Sequence, residues 1–68
     1  MKIDYDKEAD ALYIHLSESR FTSNKKIDNV TIVDLDNKGK VIGIELLELS
    51  KRVSPQALAK FSKKGLFN

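Results

Sequence analysis

Asp34, Asp36, Gly39 and Glu45 in "DLDNKGKVIGIE" stand at positions 1, 3, 6 and 12 of a calcium-binding loop. Such a loop needs oxygen ligands at alternate positions and helices on both sides. Here Lys38 takes position 5 and would set an ammonium beside the cation. The flanks, "IDNVTIVDL" and "VIGIELL", are β-branched, and no second loop of this type exists to pair with the first. The stretch reads as a turn between two strands. Asp36-Asn37-Lys38-Gly39 fits a type I turn, with Gly39 in the left-handed region.

The other reactive groups are few. His15 is the only histidine, so any His-paired nucleophile would depend on it. Alternation puts it beside Tyr13, where a surface or interface histidine is the plainer expectation. Asp6, Asp10 and Glu45 could assemble a carboxylate site, but aspartates next to turns usually cap them through the side-chain oxygen. Glu45 lies between Ile44 and Leu46 on a face expected to carry Val33 as well, where it could pair with a lysine at a subunit boundary. Gly43 within that strand signals a bulge or a close backbone approach. Cysteine is absent, which rules out disulfides and thiolate metal centres. With no phosphate-cradling glycine loop or His-rich cluster, no cofactor or metal is expected, and catalysis is the lesser reading.

Charge is uneven. Residues 1–50 hold seven Lys/Arg and ten Asp/Glu, a net of −3, whereas residues 51–68 hold five basic residues and no acid. Lys51, Arg52, Lys60, Lys63 and Lys64 form a candidate nucleic-acid contact, set against a solvated helix face with favourable charge near its C-terminus. Only Phe61 and Phe67 accompany them, so stacking on bases has little support. "MKIDYDKEAD" has no apolar core of a signal peptide, and no run approaches the ~20 apolar residues that span a bilayer. A cytoplasmic protein without membrane contact is expected.

These residues need elements to position them. Ile3 and Tyr5 alternate with Lys2, Asp4 and Asp6, and Leu12, Ile14 and Leu16 alternate with Ala11, Tyr13 and His15. A four-residue turn over Lys7–Asp10 would pair Asp6 with Ala11, Tyr5 with Leu12 and Ile3 with Ile14, gathering the apolar set on one side. A helix from Glu8 to Ser17 competes by propensity. "SESRFTSNKK" (17–26) reads as a polar loop. In the second hairpin, pairing Asp36 with Lys40 puts Asp34 opposite Ile42, Ile32 opposite Ile44 and Val30 opposite Leu46. Ser54 as N-cap and Pro55 at the first helical position open a helix over about 54–64. Gly65 is its expected C-terminal cap, with Leu66 packed on Phe61. The expected fold is α+β in a single domain: a four-stranded antiparallel β-meander of two hairpins over residues 1–50, with one C-terminal helix packed on its Ile32/Ile44 face.

"YDKEADALYIHL" and "VDLDNKGKVIGIELLELSK" together resemble a small bacterial and archaeal family catalogued as domain of unknown function 2283. The resemblance rests on Tyr5, Asp6, Ala9, Asp10, Ala11, Leu12, Tyr13, Ile14, Asp36, Gly39, Val41, Gly43, Ile44, Glu45 and Ser50. It extends to Lys51 and leaves the helix from Ser54 outside. It implies strand over helix for residues 11–16 and supplies no biochemical activity. The gene setting of such proteins, similar to that of small toxin–antitoxin partners, implies a binding role.

A chain of 68 residues builds a core worth only ~3–5 kcal/mol net and commonly adds a partner. The second face of the expected sheet would present Ala11, Tyr13, His15, Thr31, Val33, Leu35, Val41 and Gly43, broader than the short helix can cover. The expected function is therefore a small protein-binding or regulatory module. It would act as a homodimer or with a small cognate protein, through Tyr13, His15, Val33, Leu35, Val41 and Glu45 or through an edge strand. Nucleic-acid binding by the basic C-terminal segment is the alternative.

Overall fold

The computed structural model of the chain describes residues 1–62. The strands are β1 (Lys2–Asp6), β2 (Ala11–His15), β3 (Ser23–Asp28), β4 (Thr31–Leu35) and β5 (Val41–Leu46). A 3₁₀ turn at Leu49–Lys51 leads to one helix, α1 (Pro55–Ser62). The five strands form a single antiparallel sheet in the order β1-β2-β5-β4-β3.

The first hairpin has the register that its alternation demands: Ile3 faces Ile14, Tyr5 faces Leu12 and Asp6 faces Ala11. Its turn is held by the Asp6 carboxylate, which accepts from the backbone N–H groups of Glu8 at 3.1 Å and Ala9 at 3.2 Å. The Asp34–Glu45 stretch is a hairpin too. Asp36 N–H donates to Lys40 O at 3.0 Å, the Asp36 carboxylate caps Lys38 and Lys40, and Gly39 has φ 79°.

Three expectations change. The sheet has five strands, because residues 23–26 of the expected loop, together with Ile27 and Asp28 from the start of the expected strand, form β3 and pair with β4. All six residues of β3 are exposed, so no hydrophobic alternation announces them. Backbone bonds to β4 hold the strand in place, and Lys25 and Lys26 guard its open edge. The order is not a simple meander: β2 pairs with β5, and the chain crosses to the far edge before returning through β3 and β4. Finally, the second hairpin carries a bulge. Leu35 faces Val41 but Asp34 faces Gly43, so Ile42 is the extra residue. Its carbonyl accepts from Leu16 N–H at 2.9 Å and Ser17 N–H at 3.2 Å, where the chain leaves β2.

That one-residue step resets the faces. Ile32 lies opposite Glu45, and Val33 opposite Ile44, so Ile32 and Ile44 do not share a side. One face carries Leu12, Ile14, Val33, Leu35, Ile44 and Leu46, together with Ile3 and Tyr5. The other carries Asp4, Asp6, Ala11, Tyr13, His15, Ile32, Asp34, Gly43 and Glu45. The helix packs against β1 and the 3₁₀ turn rather than over an Ile32/Ile44 pair. It begins as its sequence dictates, with Ser54 Oγ accepting from Ala57 N–H at 3.1 Å. Its expected end at Gly65 and Leu66 lies outside the described residues.

Asp10 fastens the 3₁₀ turn to the first hairpin. Sitting at φ 53°, a left-handed position that aspartate tolerates, it accepts from Ser50 Oγ at 2.6 Å, Ser50 N–H at 3.0 Å and Tyr5 OH at 2.9 Å. Its own carbonyl accepts from Leu49 N–H at 2.9 Å. The bonds from Ser50, and then the one from Tyr5, hold the Asp10 carboxyl below its ordinary pKa, against the opposing effect of burial. This clamp seats Leu49, which is 1% exposed and the most deeply buried side chain described.

Among the described residues, the fully buried hydrophobic ones are Leu12, Ile42 and Leu49. Truncating a buried leucine costs about 2–5 kcal/mol, comparable to all the net stability of so small a core. Leu49→Ala should therefore leave much of the protein unfolded at 37 °C. Urea denaturation followed by circular dichroism measures this, and a wild-type midpoint in the variant would refute it.

Candidate functional site

Tyr13 sits in the middle of β2 with Glu45 across from it on β5 and Asp4 across from it on β1. Asp34, on β4, faces Gly43, one step along from Glu45 on the same side. The glycine makes the arrangement possible. A Cβ at residue 43 would lie 2.8 Å from Tyr13 Cζ and closer still to its hydroxyl. The tyrosine ring thus lies over bare backbone and reaches across β5 to donate its O–H to Asp34 Oδ2 at 2.5 Å.

Asp34 is 6% exposed, the one fully buried charged residue described. Its other oxygen, Oδ1, is buried with no hydrogen-bond donor among the described residues. An orphaned acceptor of this kind costs about 1–3 kcal/mol, so it requires an explanation. The bond to Asp34, then burial, then the charges of Asp34 and Glu45 push the Tyr13 phenol up to about 12. Burial, then hydrogen bonding with Asp34, then the Asp34 charge raise Glu45 above its ordinary value. His15 stacks edge-on to Tyr13, with ring centroids 4.2 Å apart, and its Nε2 lies 3.2 Å from Asp4 Oδ2. Beside Tyr13 an open hollow of about 450 Å³ is lined by Asp4, Asp6, Ala11 and Glu45, with Tyr5 and Leu12.

The residues expected from sequence are thus divided. Tyr13, His15 and Glu45 come together on this acidic face, whereas Val33, Leu35 and Val41 lie on the aliphatic one. The bulge is the reason. Asp6 and Glu45 share the hollow, but Asp10 is drawn into its clamp with Ser50. Two of the basic residues have structural partners. Lys51 Nζ donates to Glu48 at 2.9 Å, and Arg52 donates to Val30 O at 2.7 Å and Thr31 Oγ1 at 3.0 Å. Lys60 is exposed in the last turn of α1, and Lys63, Lys64 and Phe67 lie outside the described residues. Among the described residues no three His, Cys, Asp or Glu side chains are grouped to hold a metal ion. No described helix is long and apolar enough to cross a membrane.

The residue that sequence reasoning undervalued is Asp34. Its signal was an acid placed two residues from Ile32 on one face of a β-branched strand, a position where alternation wants an apolar side chain.

The model of a family described as "Protein of unknown function (DUF2283)" matches residues 2–50. An uncharacterised protein of Methanocaldococcus jannaschii, MJ0789, is 37% identical over 51 residues, covering 75% of this chain and 43% of that protein. The chain thus spans less than half the length of that relative. No solved structure matches it.

The contact between Tyr13 and Gly43 is directly testable. Gly43→Ala forces the ring aside and should destabilise the protein by about 1–3 kcal/mol, the usual cost of overpacking. In Gly43→Ala/Tyr13→Ala the clash is gone, so the two losses should be less than additive in chemical denaturation. Strict additivity would mean that the ring does not lie over the glycine.

Proposed function

The chain belongs to the family of proteins of unknown function DUF2283, and on that premise we propose that it is a small protein-binding module that works as a homodimer through its aliphatic face. The observation that carries this reading is the state of that face. Val41 is 44% exposed, while Ile14, Val33, Leu35 and Ile44 are only partly covered. The helix, set against β1 and the 3₁₀ turn, serves the β1 side of the sheet.

A second copy is the occupant best suited to this surface. The side chains that β2, β4 and β5 place on it are uncharged, and Lys25 of β3 stands at its margin opposite Val33, so the central strip can meet itself about a two-fold axis without repulsion. The opposite face lacks that freedom, because covering it would strip water from the charged side chains of Lys2, Asp4, Asp6 and Lys26. Partners in stable complexes commonly contribute ~800 Å² each. Covering half-exposed aliphatic side chains would add apolar burial to a small core.

Sedimentation equilibrium at micromolar concentration tests the proposal. The wild type should run as a dimer, and Val41→Lys, a change at an already exposed position, should shift it to monomer while far-UV circular dichroism stays unchanged. A monomeric wild type, or a dimer that Val41→Lys leaves intact, would overturn it.

A further inference from the structure

The orphaned oxygen of Asp34 points to a proton. Oδ2 is satisfied by Tyr13, whereas Oδ1 is buried and receives nothing while every carboxyl group around it is ionised. Asn24 faces Asp34 from β3, and Lys26 on that strand faces Ile32. On the other side stand Tyr13 and His15 of β2 and, beyond them, Lys2, Asp4 and Asp6 of β1. Arg52 is occupied at Val30 and Thr31. The titratable side chain of β5 on this face, one step along from the residue opposite Asp34, is Glu45. A carboxylate there would add a second negative charge beside a buried one, but a carboxylic acid supplies the missing donor.

We propose that Glu45 keeps its proton and donates it to Asp34 Oδ1, so that Tyr13, Asp34 and Glu45 form one hydrogen-bonded unit holding a single ionisable proton between two carboxyl groups. The unit is a proton-operated latch on the acidic face. With the proton in place, Asp34 accepts from both sides and its charge is spread over two bonds. Loss of the proton leaves two carboxylates in contact within a poorly solvated site, which cannot both remain there. Asp34 is fixed by burial and by Tyr13, so Glu45 gives way and turns towards the hollow that it already lines with Asp4 and Asp6. The charge displayed on this face is then set by pH. This inference is independent of the dimer, which uses the other side of the sheet.

The direction of the stability effect follows from linkage. Glu45 binds its proton more tightly in the folded than in the unfolded chain. Its contribution is therefore complete below the ordinary value of 4.5 and is lost as pH rises through its folded value. Asp10, Asp28 and Asp36 are held below their ordinary values and work in the opposite sense at lower pH. The variant must therefore be compared with wild type at each pH.

Carbon-detected NMR of the side-chain carboxyl groups reads the proton directly in the whole protein. The Glu45 carboxyl should titrate above 4.5. In Asp34→Asn, whose amide can itself donate to Glu45, the midpoint should fall back towards the ordinary value. Glu45→Gln supplies a permanent donor, so it should abolish the loss of stability that wild type shows as pH rises through the Glu45 midpoint. A Glu45 midpoint at or below 4.5 in wild type, or one unmoved by Asp34→Asn, would overturn the proposal. So would a pH–stability profile of Glu45→Gln parallel to that of wild type. The wild-type titration decides the matter even where a variant fails to fold.

Discussion

The structure depends on β5 lying between β2 and β4. Each hairpin alone has one apolar face and an open edge, a condition in which short strands are only marginally stable. Pairing Leu12 with Leu46 and Ile14 with Ile44 joins the two apolar sets into one surface. The same ladder brings Tyr13 against Glu45 and His15 against Gly43. Core and acidic face are therefore two sides of one set of backbone bonds, and neither can be assembled without the other.

The position of β5 also explains why several residues on which the family likeness rests have structural work to do. Asp6 and Asp36 close the β1–β2 and β4–β5 turns, and Gly39 supplies the left-handed residue of the latter. Tyr5, Asp10 and Ser50 bind the segment after β5 back to the first hairpin. Gly43 is a space for Tyr13. What is left over from that scaffold is the group Tyr13, Asp34 and Glu45, where a buried charge and a close neighbouring acid are retained in a domain with little stability to spare. Such groups are expensive, which is why this one draws the inference of a proton-operated latch, separate from the binding role proposed for the aliphatic face.

Much of this was legible from the residues. Alternation of Ile3 and Tyr5 against Leu12 and Ile14 fixed the first register, because a slip would have turned every aliphatic side chain outward. Ser54-Pro55 marked the start of the helix, and Asp36 with Gly39 marked the turn. Legibility failed where side chains carry no contrast. The exposed β3 offers no buried face to read. The extra residue Ile42 looks like any strand isoleucine, yet it moves Ile32, Val33 and Leu35 to the sides opposite those expected. Gly43 did signal a close approach, but nothing local shows that the approaching group comes from β2. The bond from Tyr13 to Asp34 joins residues 21 apart in sequence, and only the strand order reveals it.

The crossing from β2 to β3 bears on how such a sheet assembles. Every pairing except β2 with β5 joins strands that are neighbours in the chain, so the first hairpin and the three-stranded remainder can each form from local contacts. The slow step is then the search that brings these two halves together. Its entropic penalty grows only with the logarithm of the intervening length. Spacer residues added near Ser19 and Arg20 would accordingly retard assembly little, so this connection is a place where the fold accommodates an insertion.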